Sequence, residues 1–407
     1  MDLRYTPEYE AFREEVRTFL KANWPLEGES AQLPEEEGKR LFRDLATEQG
    51  YLYRSFPTEY GGAGQPTDIL KTMIISEEFK RAGAPDEIAS QGPAMLAPTL
   101  LEKGSDAQKA KYIRPTLRGE LTWAQGYSEP GAGSDLAAIQ TRGELDGDEW
   151  VVNGQKIWTS GAHEADMIFC LVRTEPDAGK HAGISYLLID MKTPGIRVST
   201  LKQMTGTEEF CEVFFDDVRV PVENMVGERG EGWAVSRATL MHERALIGSS
   251  DRIEGDFAQL VKLAQATTLN GRSAIEDPGI RRRLAEVQGY VATLTYSGYR
   301  MLTATAHGEF AGPVMMMAKI NSTNIGHMIA KLALDLIGDG ALEEPTDVVW
   351  APVGDGRRES WLGSWMWSLG IATAGGTANI QRNIVAERGL GLPRERAANM
   401  GPAGGAK

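Results

Sequence analysis

The hydrophobic period of this chain changes twice along its length, and that change limits the folds open to it. Up to about residue 118 apolar side chains recur at helical spacing. Phe12, Val16, Phe19 and Leu20 share one face after a Thr6-Pro7-Glu8 start and before the stop at Pro25. Ile69, Met73, Ile74 and Phe79 repeat the pattern after the loop FPTEYGGAGQPT, and Ser105 caps another short helix. Between Gly119 and about Gly232 the period shortens to that of strands, in the runs EWVVNGQKIW, ISYLLIDM, GIRVSTL and EVFFDDVRVP. Asn153-Gly154 predicts a hairpin there. Helical patterns return over residues 233–267, 277–305, 314–337 and 377–388, the second opened by Asp277-Pro278. Helices, then strands, then helices make an α+β protein and exclude the alternation of a Rossmann fold.

A chain of 407 residues is too long for one ordinary core, so the period changes are read as domain boundaries: a helical domain over 1–118, a β-domain over 119–232 and a helical domain over 233–407. The formal charge of -14 argues against binding to a nucleic-acid backbone, which needs clustered Lys and Arg. Cys170 and Cys211 are the only cysteines and the five histidines stand far apart, so neither a disulfide scaffold nor a metal centre is indicated. A reducing, cytoplasmic location is expected, because charge stands where a signal peptide would carry its apolar region. Residues 360–381 lack charge, but their glycines and hydroxyl groups point to a buried interface or ligand-facing chain and not to a membrane span. The tail 399–407, rich in Gly and Ala, is expected to be disordered. Met315 and Met317 are expected in a helical core.

Two stretches carry chemistry. In WAQGYSEPGAGSD (123–135), Gly131 and Gly133 allow close backbone approach to a ligand, and Ser128 and Ser134 supply hydroxyls. A tight connection into the β-domain is the plainer reading of the same glycines. In NGQKIWTSGA (153–162), Trp158 offers a flat face to an aromatic cofactor, with Thr159 and Ser160 as neighbouring donors. A buried strand tryptophan is the ordinary alternative.

Together with FPTEYGG at 56, FFDDVRVPVENMVGERGEGW at 214 and GGTANIQRNIVAERGLG at 375, these stretches occur in the order found in the acyl-CoA dehydrogenase family, which the whole chain resembles. The resemblance implies an N-terminal helical domain, a middle β-barrel-like domain and a C-terminal four-helix bundle. It also implies a flavoprotein of fatty acid or side-chain β-oxidation that uses FAD to desaturate an acyl-CoA between its α and β carbons. Gln125, Tyr127 and Ser128 then line the flavin ring, Gly133 and Ser134 continue that wall, and Trp158 and Ser160 occupy the partner strand. Ser134 also resembles a position beside the pantetheine-phosphate path. Arg272, Gly338, Thr377 and Asn379 resemble positions that hold a neighbouring subunit's FAD. Their plain readings are a solvated Arg, a helix C-cap, a helix N-cap and, for Asn379, a polar residue in place of a longer one; Asp335 departs from the pattern in the same way.

In this family a carboxylate removes the α-proton, a backbone N–H and a flavin hydroxyl hold the thioester oxygen, and flavin N5 accepts hydride. The commonest position for the base, before the Gly-Thr of the last motif, is Gly375 here. The alternative position precedes a wall arginine on the first helix of the bundle, and this chain has Glu243-Arg244 there, as in branched-chain and long-chain members. Gly375 leaves room beside the α-carbon for a branched, long or polycyclic acyl group. The resemblance further implies a homotetramer or heterotetramer that passes electrons to an electron-transfer flavoprotein. Two rival readings are a CoA- or FAD-binding partner subunit of a heteromeric dehydrogenase, and an oxidase or monooxygenase on the same scaffold.

Overall fold

The computed structural model describes residues 5–247, 250–309, 312–344, 346 and 360–393, without the side chains of 243–247, 250, 251 and 313. The tail 399–407 lies outside them.

Five helices open the chain: α1 (Pro7–Asn23), α2 (Glu35–Glu48), α3 (Ile69–Ala82), α4 (Ala97–Lys103) and α5 (Asp106–Leu117). Their ends follow local chemistry. Pro7 begins α1, the Asp68 carboxylate accepts the N–H groups of Leu70 and Lys71 at the start of α3, and Ser105 with Gln108 forms a capping box on α5. Phe19, Phe42 and Phe79 meet in the core, with ring centroids 5.9 and 5.8 Å apart. The Glu78 carboxylate is 2% exposed and pins α1 to α3 by accepting bonds from Arg13 and Arg17.

The middle segment forms one seven-stranded sheet. Its strands are β1 (Trp123–Gly126), β2 (Arg142–Asp146), β3 (Glu149–Ser160), β4 (Met167–Arg173), β5 (Ile184–Asp190), β6 (Ile196–Leu201) and β7 (Phe210–Pro221), in the order β1-β4-β2-β3-β7-β6 with β5 against β4. The unbroken apolar runs of β4 and β5 have a simple cause. One side of the pair (Phe169, Leu171, Tyr186, Leu188) packs into the core of the N-terminal helices, and the other (Ile168, Cys170, Leu187, Ile189) packs inside the curled sheet with Val213 and Val218.

Asn153-Gly154 is not a hairpin. It lies inside β3, which turns back to β2 at Gly147 instead, and the β3–β7 register shifts between Val152 and Gly154. A Cβ at 154 would come within 2.5 Å of the Thr141 hydroxyl, so this glycine serves a bulge and a close chain crossing.

Beyond the sheet come α6 (Gly232–Ile247), α7 (Ser250–Ala266), the short strands β8 (Thr268–Leu269) and β9 (Arg272–Ser273), then α8 (Pro278–Ala306), α9 (Pro313–Ile337), α10 (Trp361–Ile371) and α11 (Ala378–Ile384). The Asn-Gly pair that does make a hairpin is Asn270-Gly271, with φ of 51° and 75°, between β8 and β9. The chain divides into two compact units, residues 1–248 with 339–367 and residues 249–338 with 368–407. In the second, α7, α8 and α9 pack pairwise around Leu260, Leu284, Val287, Val291, Ile325 and Ile329, and the short α11 packs on α9. Met315 and Met317 are 43% and 38% exposed in this chain, contrary to their expected core role; both lie in the first turns of α9, before the buried stretch that begins at Ala318. Among the described residues no helix is long and apolar enough to cross a membrane.

Candidate active site

Two neighbouring chain segments of the first unit meet at the end of the sheet. The loop after β1 doubles back on itself through paired bonds between Glu129 and Ala132, each 3.0 Å, and Ile157 of β3 donates its N–H to the Ser128 carbonyl at 2.9 Å. Tyr127 and Ser128 are thereby held beside Trp158 and Ser160.

A buried ion pair fixes this junction. The Lys156 side chain is fully buried, with Nζ 2.7 Å from Glu129 Oε1 and 3.3 Å from the Tyr127 carbonyl. The Glu129 carboxylate also accepts the N–H groups of Gln140 (2.6 Å) and Thr141 (2.9 Å). Burial pushes the Glu129 carboxyl up, but the Lys156 ammonium and these bonds outweigh it, and the group stays below the usual glutamate range. Motif reading singled out neither residue. A lysine at position 156, in the same inward phase of β3 as Trp150 and Val152, was the available signal.

Trp158 is not a buried strand tryptophan. It is 59% exposed, with φ of 62°, at the point where the β3–β7 register shifts between Lys156 and Thr159. A bulky side chain in the left-handed region costs roughly 1–3 kcal/mol and persists only where its surroundings impose it. Here the bulge buries Thr159 completely and turns the indole outward. Phe210 supports it edge-on at 6.1 Å and stacks in turn on Trp367 of α10 at 6.3 Å.

These features suit a planar, polar-edged cofactor such as a flavin. An exposed indole stands beside the half-buried Ser128 and Ser160, and Gln125 is half-buried on β1. Gly131 and Gly133 lack positive φ, and a Cβ at either would meet open space, so protein packing is not what demands glycine there. Ser134 is exposed on the same loop.

Helix α6 is anchored on the sheet side. Gly232 approaches Ser185 so closely that a Cβ would lie 2.4 Å from its carbonyl carbon, and the Thr239 hydroxyl meets Thr99 at 3.1 Å and Tyr186 at 3.4 Å. Glu243 and Arg244 follow on α6, and their side chains lie outside the described residues.

The remaining expected site residues belong to the second unit. Arg272 is exposed on β9. Gly338 ends α9 with φ of 64°. Thr377 caps α11 by accepting the Ile380 N–H, and Asn379 is exposed and accepts a bond from Arg382. Gly375 lies two residues before that cap, with φ of 59°. Asp335 pairs with Arg283 at 2.5 Å on the exposed surface of the second unit.

Models of the acyl-CoA dehydrogenase N-terminal, middle and C-terminal domains match residues 6–120, 124–218 and 230–390. The acyl-CoA dehydrogenase IpdE1 of Mycobacterium tuberculosis is 38% identical, over 95% of this chain and 99% of its own length. A solved structure named Tcur3481-Tcur3483 steroid ACAD is 30% identical with a TM-score of 0.75, covering 97% of this chain and 100% of that one. The ChsE4-ChsE5 complex of Mycobacterium tuberculosis matches with the same identity, coverage and TM-score. With its three domains matched in order and a relative this similar over nearly its full length, the chain belongs to the acyl-CoA dehydrogenase family of oxidoreductases.

Proposed function

We propose that this protein binds FAD against Trp158, Ser160 and the Gln125–Tyr127–Ser128 strand, and that it desaturates an acyl-CoA with Glu243 as the α-proton base. The observation that carries the proposal is the left-handed, outward-turned Trp158 beside Ser128 and Ser160, a strained arrangement in which Phe210 supports the indole edge-on while more than half of the residue stays open to a ligand. When bound, FAD supplies the acceptor for the two electrons that leave with the β-hydrogen. The chain does the rest. Ser128 and Ser160 donate toward the polar edge of the ring, Trp158 covers it from water, and Gly133 and Ser134 leave a path for the pantetheine and phosphates. Arg244 shapes the wall beside the base. Arg272, Gly338, Thr377 and Asn379 complete the FAD contacts of a neighbouring subunit, in a tetramer of one or two chain types that reduces an electron-transfer flavoprotein. The functional division is 1–118, 119–232 and 233–407.

Gly375 and the likeness to a steroid ACAD support a bulky, polycyclic acyl group. Anaerobic titration with straight, branched and steroid-type acyl-CoAs tests this, read as loss of flavin absorbance. Bleaching by the polycyclic thioester above the others is expected. Protein that neither carries flavin nor takes it up would transfer the reading to a partner subunit. Rapid reoxidation by oxygen would transfer it to an oxidase.

A further inference from the structure

We infer that Lys319 and Gln381 are positioning residues that set the peptide planes of the Gly375-Gly376-Thr377 turn, so that its amides and not its carbonyls face the bound ligand. Lys319 projects from α9 and is only 4% exposed, and Gln381 on α11 is 3% exposed. Lys319 Nζ donates to the carbonyls of Gly376 (2.9 Å) and Ala372 (3.3 Å). Gln381 Nε2 donates to the carbonyl of Gly375 (3.0 Å). The peptide bonds here are trans, so each carbonyl points opposite to the N–H of the following residue. Holding the Gly375 oxygen against Gln381 therefore turns the Gly376 N–H away from the bundle interior, and holding the Gly376 oxygen against Lys319 does the same for Thr377.

The backbone is built for this arrangement. Gly375 and Gly376 both have positive φ, 59° and 89°, and a Cβ at 376 would come within 2.6 Å of Gln381 Nε2. An ammonium has three donors and no acceptor, so it can bond the carbonyls of this turn but cannot accept from its N–H groups, and the turn cannot be inverted against it. Its charge, buried behind the peptides, also favours negative oxygen on their N–H side.

The inference rests on the reading of Thr377 and Gly375 as cofactor- and substrate-facing, and its test separates the two. Lys319→Met keeps the length and suits the buried site; Gln381→Glu keeps the shape and removes the donor. Hydrogen exchange of residues 373–380 in cofactor-free protein should speed up about tenfold in either variant, the worth of one strong hydrogen bond, while exchange in α8 and α9 stays unchanged. In the loaded protein FAD retention should weaken about tenfold, with acyl-CoA affinity kept. Unchanged exchange and FAD retention in both variants would overturn the inference. Faster exchange spread evenly through the bundle would also overturn it, by showing a merely structural lysine. If the wild type takes up no FAD, the proposed function fails, and the exchange comparison still decides the role of Lys319.

Discussion

Lys156→Met removes the ammonium that pairs with Glu129 and leaves a carboxylate that is 8% exposed and held by neutral donors of Gln140 and Thr141. Breaking one side of a buried ion pair costs about 3–5 kcal/mol, since the surviving charge keeps its desolvation penalty and loses its partner. For a cooperative unit of this size, each kcal/mol shifts the midpoint by about 2–4 °C, so the melting temperature should fall by about 10 °C. The sign with pH is also fixed. In the wild type the folded Glu129 sits below its ordinary pKa, so its contribution is present above the usual glutamate range and is lost as pH falls through the lowered value. In Lys156→Met the burial effect is left largely unopposed and the folded pKa rises. The variant's deficit should therefore be greatest at neutral pH and shrink on acidification. Adding Glu129→Gln should recover part of the loss by removing the buried charge, but not all of it: Gln140 and Thr141 donate to different carboxylate oxygens, so the amide oxygen keeps one bond while its NH2 faces the other N–H. Thermal unfolding of the wild type, the two single variants and the double variant from pH 4 to 8 makes the comparison. A Lys156→Met protein that melts within 2 °C of the wild type, or whose deficit grows on acidification, would refute the reasoning.

Glu243→Gln should keep FAD and bind acyl-CoA while its stopped-flow bleaching rate drops by orders of magnitude; near-normal bleaching would remove Glu243 as the base. Trp158→Gly relieves a left-handed side chain worth about 1–2 kcal/mol and should raise the melting temperature or leave it unchanged, yet lose flavin on gel filtration. A variant that keeps its flavin would show that the strain serves something else. Gly375→Glu should not restore a base to Glu243→Gln, because a side chain at φ 59° costs about 1–2 kcal/mol and the turn is held from both ends; bleaching recovered beyond about tenfold contradicts this.

The layout of helices, sheet and bundle was legible because it rests on period and capping, which are local. Pro7, Asp277 and Ser105 begin helices for reasons contained in four residues of sequence, and the apolar runs of β4 and β5 announce a strand pair covered on both faces. What depended on chain crossings was not legible. Asn153-Gly154 has hairpin chemistry, but the approach of Thr141 decides its conformation, and Thr141 is placed by Glu129 and Lys156. The same holds for Trp158: alternation along β3 predicts a residue of ordinary strand geometry, and the bulge opposite Cys211 reverses that. The order of the motifs directs attention to these segments, but not to the buried charges that hold them.

Those charges share a physical logic. Lys156 in the first unit and Lys319 in the second each lie buried behind a glycine-containing turn and each donate to main-chain carbonyls, of Tyr127 in one case and of Ala372 and Gly376 in the other. A turn that must present N–H groups to an anionic or electron-rich ligand has to hide its carbonyls, and hidden carbonyls need donors that cannot also accept. Water could fill that role but would exchange when the ligand arrives, and a hydroxyl could rotate to accept instead. A buried lysine does neither, and its desolvation is offset by the bonds it makes. Its weakness is that the arrangement fails as a whole when the charge is removed, so substitutions at Lys156 and Lys319 should affect ligand retention more than conservative changes at the exposed residues of the same turns. Ser134→Ala and Asn379→Ala are the comparison: each should weaken FAD retention less than Lys156→Met or Lys319→Met, and the opposite ranking would mean that the exposed side chains, and not the buried ammonium groups, set the geometry of the site.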